Sequence, residues 1–207
     1  LMAAHLDKQE KVVQYVEECR RRNIMVLPPD INCSDVDFTV EDGAICFGLG
    51  AIKNVGKAAV EVILRARADA LSTSIFDFCV RTLEQQSNFS KMTVETLIQA
   101  GACHSLVPNR NLLLAGLDDT WAAAQRAVHN RRIGQESLFA GGQMQAVEEP
   151  PLPSVPELPR EQILAFEKEL LGVYLADHPL RSLQTRLKQL GVLTCSHLNE
   201  MADGAQV

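Results

Sequence analysis

The chain has 207 residues, 46% of them hydrophobic and 22% charged, the profile of an ordinary globular protein of one large or two small domains. It has no run of about 18 apolar residues, so no membrane-spanning helix is expected, and no basic segment leads into an apolar core in the manner of a secretory signal. A formal net charge of −6 excludes a protein that coats DNA by bulk electrostatics, so any contact with nucleic acid must come from a local geometry. The six cysteines, Cys19, Cys33, Cys46, Cys79, Cys103 and Cys195, form no C-x-x-C pair and stand at no zinc spacing. They read as free thiols of a reducing, cytoplasmic compartment. The ends, Leu1-Met2-Ala3-Ala4 and Asp203-Gly204-Ala205-Gln206-Val207, read as the interior of a longer chain.

Taken in order, residues 7–22 read as a helix. Asp7 with Glu10 resembles a capping box, and Val12, Val13, Val16 and Cys19 share one face. Arg20-Arg21-Arg22 then falls at the helix C-terminus, where the dipole favours positive charge. Ile24–Leu27 reads as a short strand stopped by Pro28-Pro29. Asp42-Gly43 is a two-residue hairpin turn that places Val40 opposite Ile45 and Phe38 opposite Phe47 on one face. From Gly48 onward the pattern reads as helix, with Ala59, Val62, Ile63 and Ala66 as its apolar stripe and Arg65 and Arg67 off it. Further helices are expected over 75–83, over 90–100 with Gly101 as C-cap, and over 109–132 with Leu113, Leu117, Trp121 and Ala124 inward. Residues 141–159, rich in Pro and Glu, read as an extended linker. Helices resume over 161–171 and 180–190.

Three segments carry functional signals. Gly50-Ala51-Ile52-Lys53-Asn54-Val55-Gly56-Lys57 reads as a short helix, a tight turn and an Ala-rich helix. Successive backbone N–H groups beside a helix N-terminus make an anion site that fits a phosphate. Gly56 leaves that approach open and permits a left-handed backbone, while Lys53 and Lys57 add charge. Asn54 stands where a glycine is usual and tolerates positive φ. An ordinary αα-hairpin remains the alternative. Ser87-Asn88-Phe89-Ser90 is a second candidate hairpin, or else a plain helix N-cap by Asn88 or Ser90. Gln135-Glu136-Ser137-Leu138-Phe139 sets a polar anchor before two large apolar side chains, which either fill a partner's pocket or pack on their own domain. His178, before Pro179, has no catalytic arrangement around it and reads as structural.

Collinearly, these segments resemble the alpha subunit of bacterial replicative DNA polymerase III. Pro28-Pro29-Asp30-Ile31-Asn32 and Phe47 to Gly56 look like the end of its fingers. Leu97-Ile98-Gln99-Ala100-Gly101-Ala102 is similar to its second hairpin region, and Gln135 to Phe139 to its internal sliding-clamp motif. Glu167-Lys168-Glu169-Leu170-Leu171-Gly172-Val173-Tyr174 with His178-Pro179-Leu180 is similar to the helix leading to its OB domain. The resemblance implies that Lys53, Asn54, Val55, Gly56 and Lys57, with Asn88, Phe89 and Ser90, bind the backbone of duplex DNA. It implies that Gln135, Ser137, Leu138 and Phe139 bind the sliding clamp, with Glu136 replacing an apolar residue of the usual motif. Metal-binding aspartates of the family lie upstream of this pattern, so Mg²⁺ belongs to the parent enzyme. No cofactor, metal site or catalytic residue is expected here, Asp118-Asp119 reading as a solvated helix face.

The fold class expected is mainly α, a helical bundle with tandem helix-hairpin-helix and one small β-hairpin. Residues 1–50 would end the fingers, 51–139 form the hairpin region and clamp peptide, 140–160 the linker, and 161–207 a helical lead into a truncated OB domain. The partners implied are duplex DNA, the sliding clamp and other polymerase III subunits, with no membrane. The rival readings are an error-prone paralogue of the same subunit, a non-catalytic DNA- and clamp-binding adaptor, and a purely structural helical domain.

Overall fold

The computed structural model describes residues 9–137 and 147–175. Helix α1, Gln9–Arg21, buries Val12, Val16 and Cys19, with Val13 packed partly against the same core. The expected cap at Asp7 lies outside the described residues. Asn23, at φ 56°, takes the left-handed conformation that ends the helix. Arg21 and Arg22 fold back on Glu18, which accounts for two members of the basic run.

Strand β1, Val26–Leu27, lies parallel to β3, Ala44–Cys46, which pairs antiparallel with β2, Thr39–Glu41, giving the order β1-β3-β2. The hairpin has the expected register, with Val40 opposite Ile45. Asp42 at φ 49° and Gly43 at φ 79° supply the paired positive angles that match the strand twist. The rings of Phe38 and Phe47 meet edge-on at 4.7 Å and 66°, and Phe47 is fully buried. Val40, by contrast, is 73% exposed, so the aromatic pair anchors the hairpin and the Val40 end does not.

Beyond the sheet, the short helix expected before the Gly56 turn is a single 3-10 turn, Leu49–Ala51. Leu49 N–H donates to the Asp35 carbonyl at 2.8 Å and Gly50 N–H to that of Val36 at 3.0 Å. A Cβ on Gly48 would lie 2.6 Å from the Val36 oxygen, so this backbone approach requires glycine.

Regular helix begins at α2, Lys57–Ala66, which buries Val60, Val62, Ile63 and Ala66 and leaves Ala59 at the margin. Helix α3, Ile75–Gln85, opens with a reciprocal cap: Asp77 N–H donates to Ser74 Oγ at 3.1 Å, and Thr73 N–H to the Asp77 carboxylate at 3.1 Å. Helix α4, Lys91–Gln99, ends at Gly101, whose φ of 83° and Ala102 N–H to Leu97 carbonyl bond (2.8 Å) form a Schellman closure.

Helix α5, Arg110–Ser137, is N-capped by the Asn109 side chain, which accepts from Leu112 N–H at 2.9 Å. It packs on α3 and α4 through Leu113, Leu117, Trp121, Ala124 and Val128. It runs past the expected end at Arg132, since one internal glycine, Gly134, costs only about 1 kcal/mol in a helix.

Residues 147–159 have no regular element, as expected of the linker, yet the segment is docked along α5. Leu152 and Pro153 sit where a Cβ on Gly116 would be, 2.7 and 3.0 Å away. The Glu157 carboxylate accepts from the amides of Arg110 (2.9 Å), Asn111 (3.2 Å) and Leu158 (2.7 Å), capping α5 a second time. Burial raises the pKa of Glu157, but those hydrogen bonds and the Arg110 charge outweigh it and hold the group below the usual carboxylate range.

Helix α6, Arg160–Leu170, closes against the bundle through Leu164, Glu167 and Leu170, followed by buried Leu171 and Val173. The helix expected over 180–190, the OB lead and His178 lie outside the described residues. Of the described thiols, Cys79 is pushed up to about 12 by burial and Cys103 is pushed up further, so both remain protonated. Among the described residues, no helix is long and apolar enough to cross a membrane.

Candidate nucleic-acid interface

Two hairpins of the same construction stand on the surface of this bundle. In the first, Val55 N–H donates back to the Ile52 carbonyl at 3.1 Å, Val55 is buried, and the Gly56 carbonyl accepts from Ala59 (2.9 Å) and Val60 (3.2 Å). In the second, Phe89 N–H donates back to the Gln86 carbonyl at 2.9 Å, Phe89 is buried, and the Ser90 carbonyl accepts from Thr93 (3.0 Å) and Val94 (3.4 Å). Val60 and Val94, each 0% exposed, tie the two following helices to the core in the same way. Gly56 (φ −72°, ψ 151°) and Ser90 (φ −90°, ψ 129°) are both extended N-caps.

The geometry corrects one expectation about Gly56: it does not use a left-handed angle. That angle belongs to Asn54, at φ 68°, the residue standing where glycine is usual. Gly56 instead contributes clear space, since a Cβ there would meet nothing within 4 Å. The first-turn amides at Lys57–Ala58 and Lys91–Met92 have no partner among the described residues. Four orphan donors are inherent in a helix start, and here the aligned peptide dipoles add partial positive charge beside them.

The side chains divide by burial. Lys53, Asn54, Lys57, Asn88 and Ser90 are exposed, whereas Val55 and Phe89 are core anchors that hold each turn in place. The Lys53 amide donates to the Leu170 carbonyl at 2.9 Å, so the end of α6 braces the first hairpin. Ser90 makes no side-chain capping bond. Gln135 and Ser137 belong to the last turn of α5, and Leu138 and Phe139 lie outside the described residues.

Lys91 holds in the second hairpin the place that Lys57 holds in the first, a position that the sequence reading passed over. It pairs with Asp118 on α5, and that hydrogen bond raises its pKa. The two groups are 42% and 82% exposed, so the pair is weakly held and yields readily to a stronger anion. The signal was present in Asn54-Val55-Gly56-Lys57 and Asn88-Phe89-Ser90-Lys91, the same Asn-apolar-small-Lys sequence written twice.

Behind the hairpins sits a buried charge pair. Arg110 donates to the Gln99 carbonyl at 2.9 Å and to Glu167 Oε1 at 3.2 Å, with the two side chains only 15% and 3% exposed. Glu167 Oε2 accepts from Leu175 N–H at 2.9 Å. The Arg110 guanidinium covers Gly101, where a Cβ would be 2.5 Å from Nη2, so the pair joins the ends of α4, α5 and α6. Lys168 donates to the Gly172 carbonyl at 3.1 Å and stacks over Tyr174 at 5.7 Å. The Glu167–Tyr174 motif thus acts as a clasp. Among the described residues no three His, Cys, Asp or Glu side chains converge in a group that could hold a metal ion.

Paired hairpins of this build define a helix-hairpin-helix module, and residues 23–113 match the helix-hairpin-helix motif family. Over nearly its whole length the chain is similar to DNA polymerase III subunit alpha. It is 41% identical to that of Vibrio cholerae over 206 residues, which is 98% of this chain and 17% of the relative. It is 37% identical to that of Escherichia coli K12 over 184 residues, covering 87% and 16%, and 34% identical to that of Bacillus subtilis over 195 residues, covering 94% and 17%. The chain is therefore homologous to one stretch of this subunit and spans about one sixth of the relatives' length.

Proposed function

We propose that this chain is the hairpin region of a DNA-directed DNA polymerase, a replicative polymerase III alpha subunit, and that it grips the backbone of the duplex behind the enzyme. The observation that carries this reading is the duplication. Two turns closed by the same backbone bond present open helix starts flanked by Lys57 and Lys91, a pairing suited to two phosphates and blind to base sequence. The local geometry supplies the attraction that a chain of net charge −6 lacks as a whole. Fluorescence anisotropy of the chain with duplexes of unrelated sequence tests it. The expected result is equal affinities that fall steeply with salt. Affinities that differ by more than about tenfold between sequences would instead indicate base readout.

The finer part of the proposal is tethering. Gln135, Ser137, Leu138 and Phe139 are read as a sliding-clamp peptide at the end of α5, which keeps the polymerase near the primer end by effective concentration. Calorimetry with the clamp of the same organism is expected to show binding that a Leu138→Ala/Phe139→Ala variant loses. Equal binding by the variant would remove the tether and return those residues to internal packing. Association with further subunits of the holoenzyme, and Mg²⁺ held elsewhere in the parent enzyme, complete the reading.

A further inference from the structure

Beside the second hairpin, the end of α3 and the adjoining edge of α5 line an open groove of about 200 Å³, formed by Leu83, Ser87, Gln125, Val128, His129 and Arg132. Leu83 and Val128 are buried, whereas Ser87, Gln125, His129 and Arg132 are exposed. Ser87, Gln125 and His129 have no hydrogen-bond partner among the described residues. Arg132 engages the Leu83 carbonyl through one N–H at 3.4 Å, and a guanidinium carries five donors. No carboxylate lines the groove, and none occurs from Thr120 to Gln135, a stretch holding Arg126, Arg131 and Arg132 in a chain of net charge −6. Arg131 is neutralised by Glu84, which leaves Arg132 as the cation of the groove.

We propose that this groove is an additional DNA-backbone site, holding one phosphate with its deoxyribose on the strand that the second hairpin grips. Arg132, His129, Ser87 and Gln125 offer donors to the phosphate, and Leu83 and Val128 offer an apolar floor to the sugar. Ser87 belongs both to the groove and to the hairpin turn, so the two sites are contiguous along one strand. The proposal rests on the reading of the hairpins as phosphate grips and extends it onto α5, outside the motif.

The test is the salt dependence of duplex affinity for the chain and four variants. Arg132→Gln is expected to weaken binding several-fold and to reduce the slope of log K against log salt by about one, the signature of one lost phosphate contact. Arg126→Gln removes the same charge from the same helix, outside the groove, and is expected to keep the parent slope. Gln125→Ala is expected to weaken binding at unchanged slope, and it provides a second reading if Arg132→Gln lowers the melting temperature. Equal slope changes for Arg132→Gln and Arg126→Gln would reduce the effect to bulk charge and overturn the groove. If Gly56→Asp weakens binding while Arg132→Gln and Gln125→Ala behave as the parent, the groove alone is wrong. If the unaltered chain binds no duplex, the hairpin reading falls with it. Inorganic phosphate displacing the duplex from the parent no better than chloride of equal ionic strength is expected. Selective displacement, lost in Arg132→Gln, would mark a free-anion site and contradict the sugar-phosphate proposal.

Discussion

Placing aspartate at both hairpin caps, Gly56→Asp with Ser90→Asp, is expected to weaken duplex binding about a hundredfold while leaving the fold at its parent stability. The argument turns on what an N-cap carboxylate does. It accepts from the first-turn amides and lies along the favourable end of the helix dipole, so the helix is held at least as well as before. Gly56 is at an angle any residue adopts, with open space where a Cβ would go, so nothing resists the new side chain. The same carboxylate occupies the anion site and repels the incoming phosphate. Each hairpin blocked in this way is expected to cost about tenfold in affinity at low salt. Melting temperatures of parent and variant should agree within the few degrees that about 0.5 kcal/mol represents. A variant that binds DNA as the parent does would mean that the hairpins serve geometry alone.

The largest effect on stability is expected at Glu167. Removing one partner of a buried, hydrogen-bonded ion pair leaves the other charge uncompensated, and such losses run to about 3–5 kcal/mol. Glu167→Ala strips Arg110 of its carboxylate and Leu175 N–H of its acceptor, at a point where the ends of α4, α5 and α6 meet. Against a total folding stability of about 5–15 kcal/mol, the variant is expected to unfold at markedly lower urea. The first hairpin should loosen with it, since the Lys53 amide bonds the Leu170 carbonyl at the end of the same helix. A loss below about 1 kcal/mol in urea titration would show that solvent screens the pair as it does at a surface.

What the sequence revealed, it revealed where local chemistry decides structure. Asp42-Gly43 between alternating apolar residues specified the hairpin and its register, because the turn type and the pleat must agree. Gly101 after an amphipathic segment fixed the end of α4, and the Leu113-Leu117-Trp121-Ala124 stripe fixed the inward face of α5. The second hairpin is legible but its lysine is not, because Ser90 stands where the first hairpin has the glycine that draws attention to Lys57. The extended angle of Gly56 was invisible for a related reason: glycine permits a left-handed angle without requiring one. The close backbone approach at Gly48 depends on amides of 49 and 50 pairing with carbonyls of 35 and 36, a tertiary fact with no local signature. The docking of 147–159 is similar, since its partners are the amides and side chains at the start of α5. The burial of Glu167 has no local signature either, because its partner Arg110 lies on another helix.

Under the proposed function, two open helix starts grip duplex phosphates. An anisotropy titration of one fluorescent duplex with the parent chain and with the Gly56→Asp/Ser90→Asp variant, repeated across a series of salt concentrations, decides it. Binding by the parent is expected to show a log–log salt slope steeper than about −1.8, the value for two phosphate contacts, and a variant that melts at the parent temperature is expected to bind about a hundredfold more weakly. Coincident curves for parent and variant at every salt concentration would contradict it.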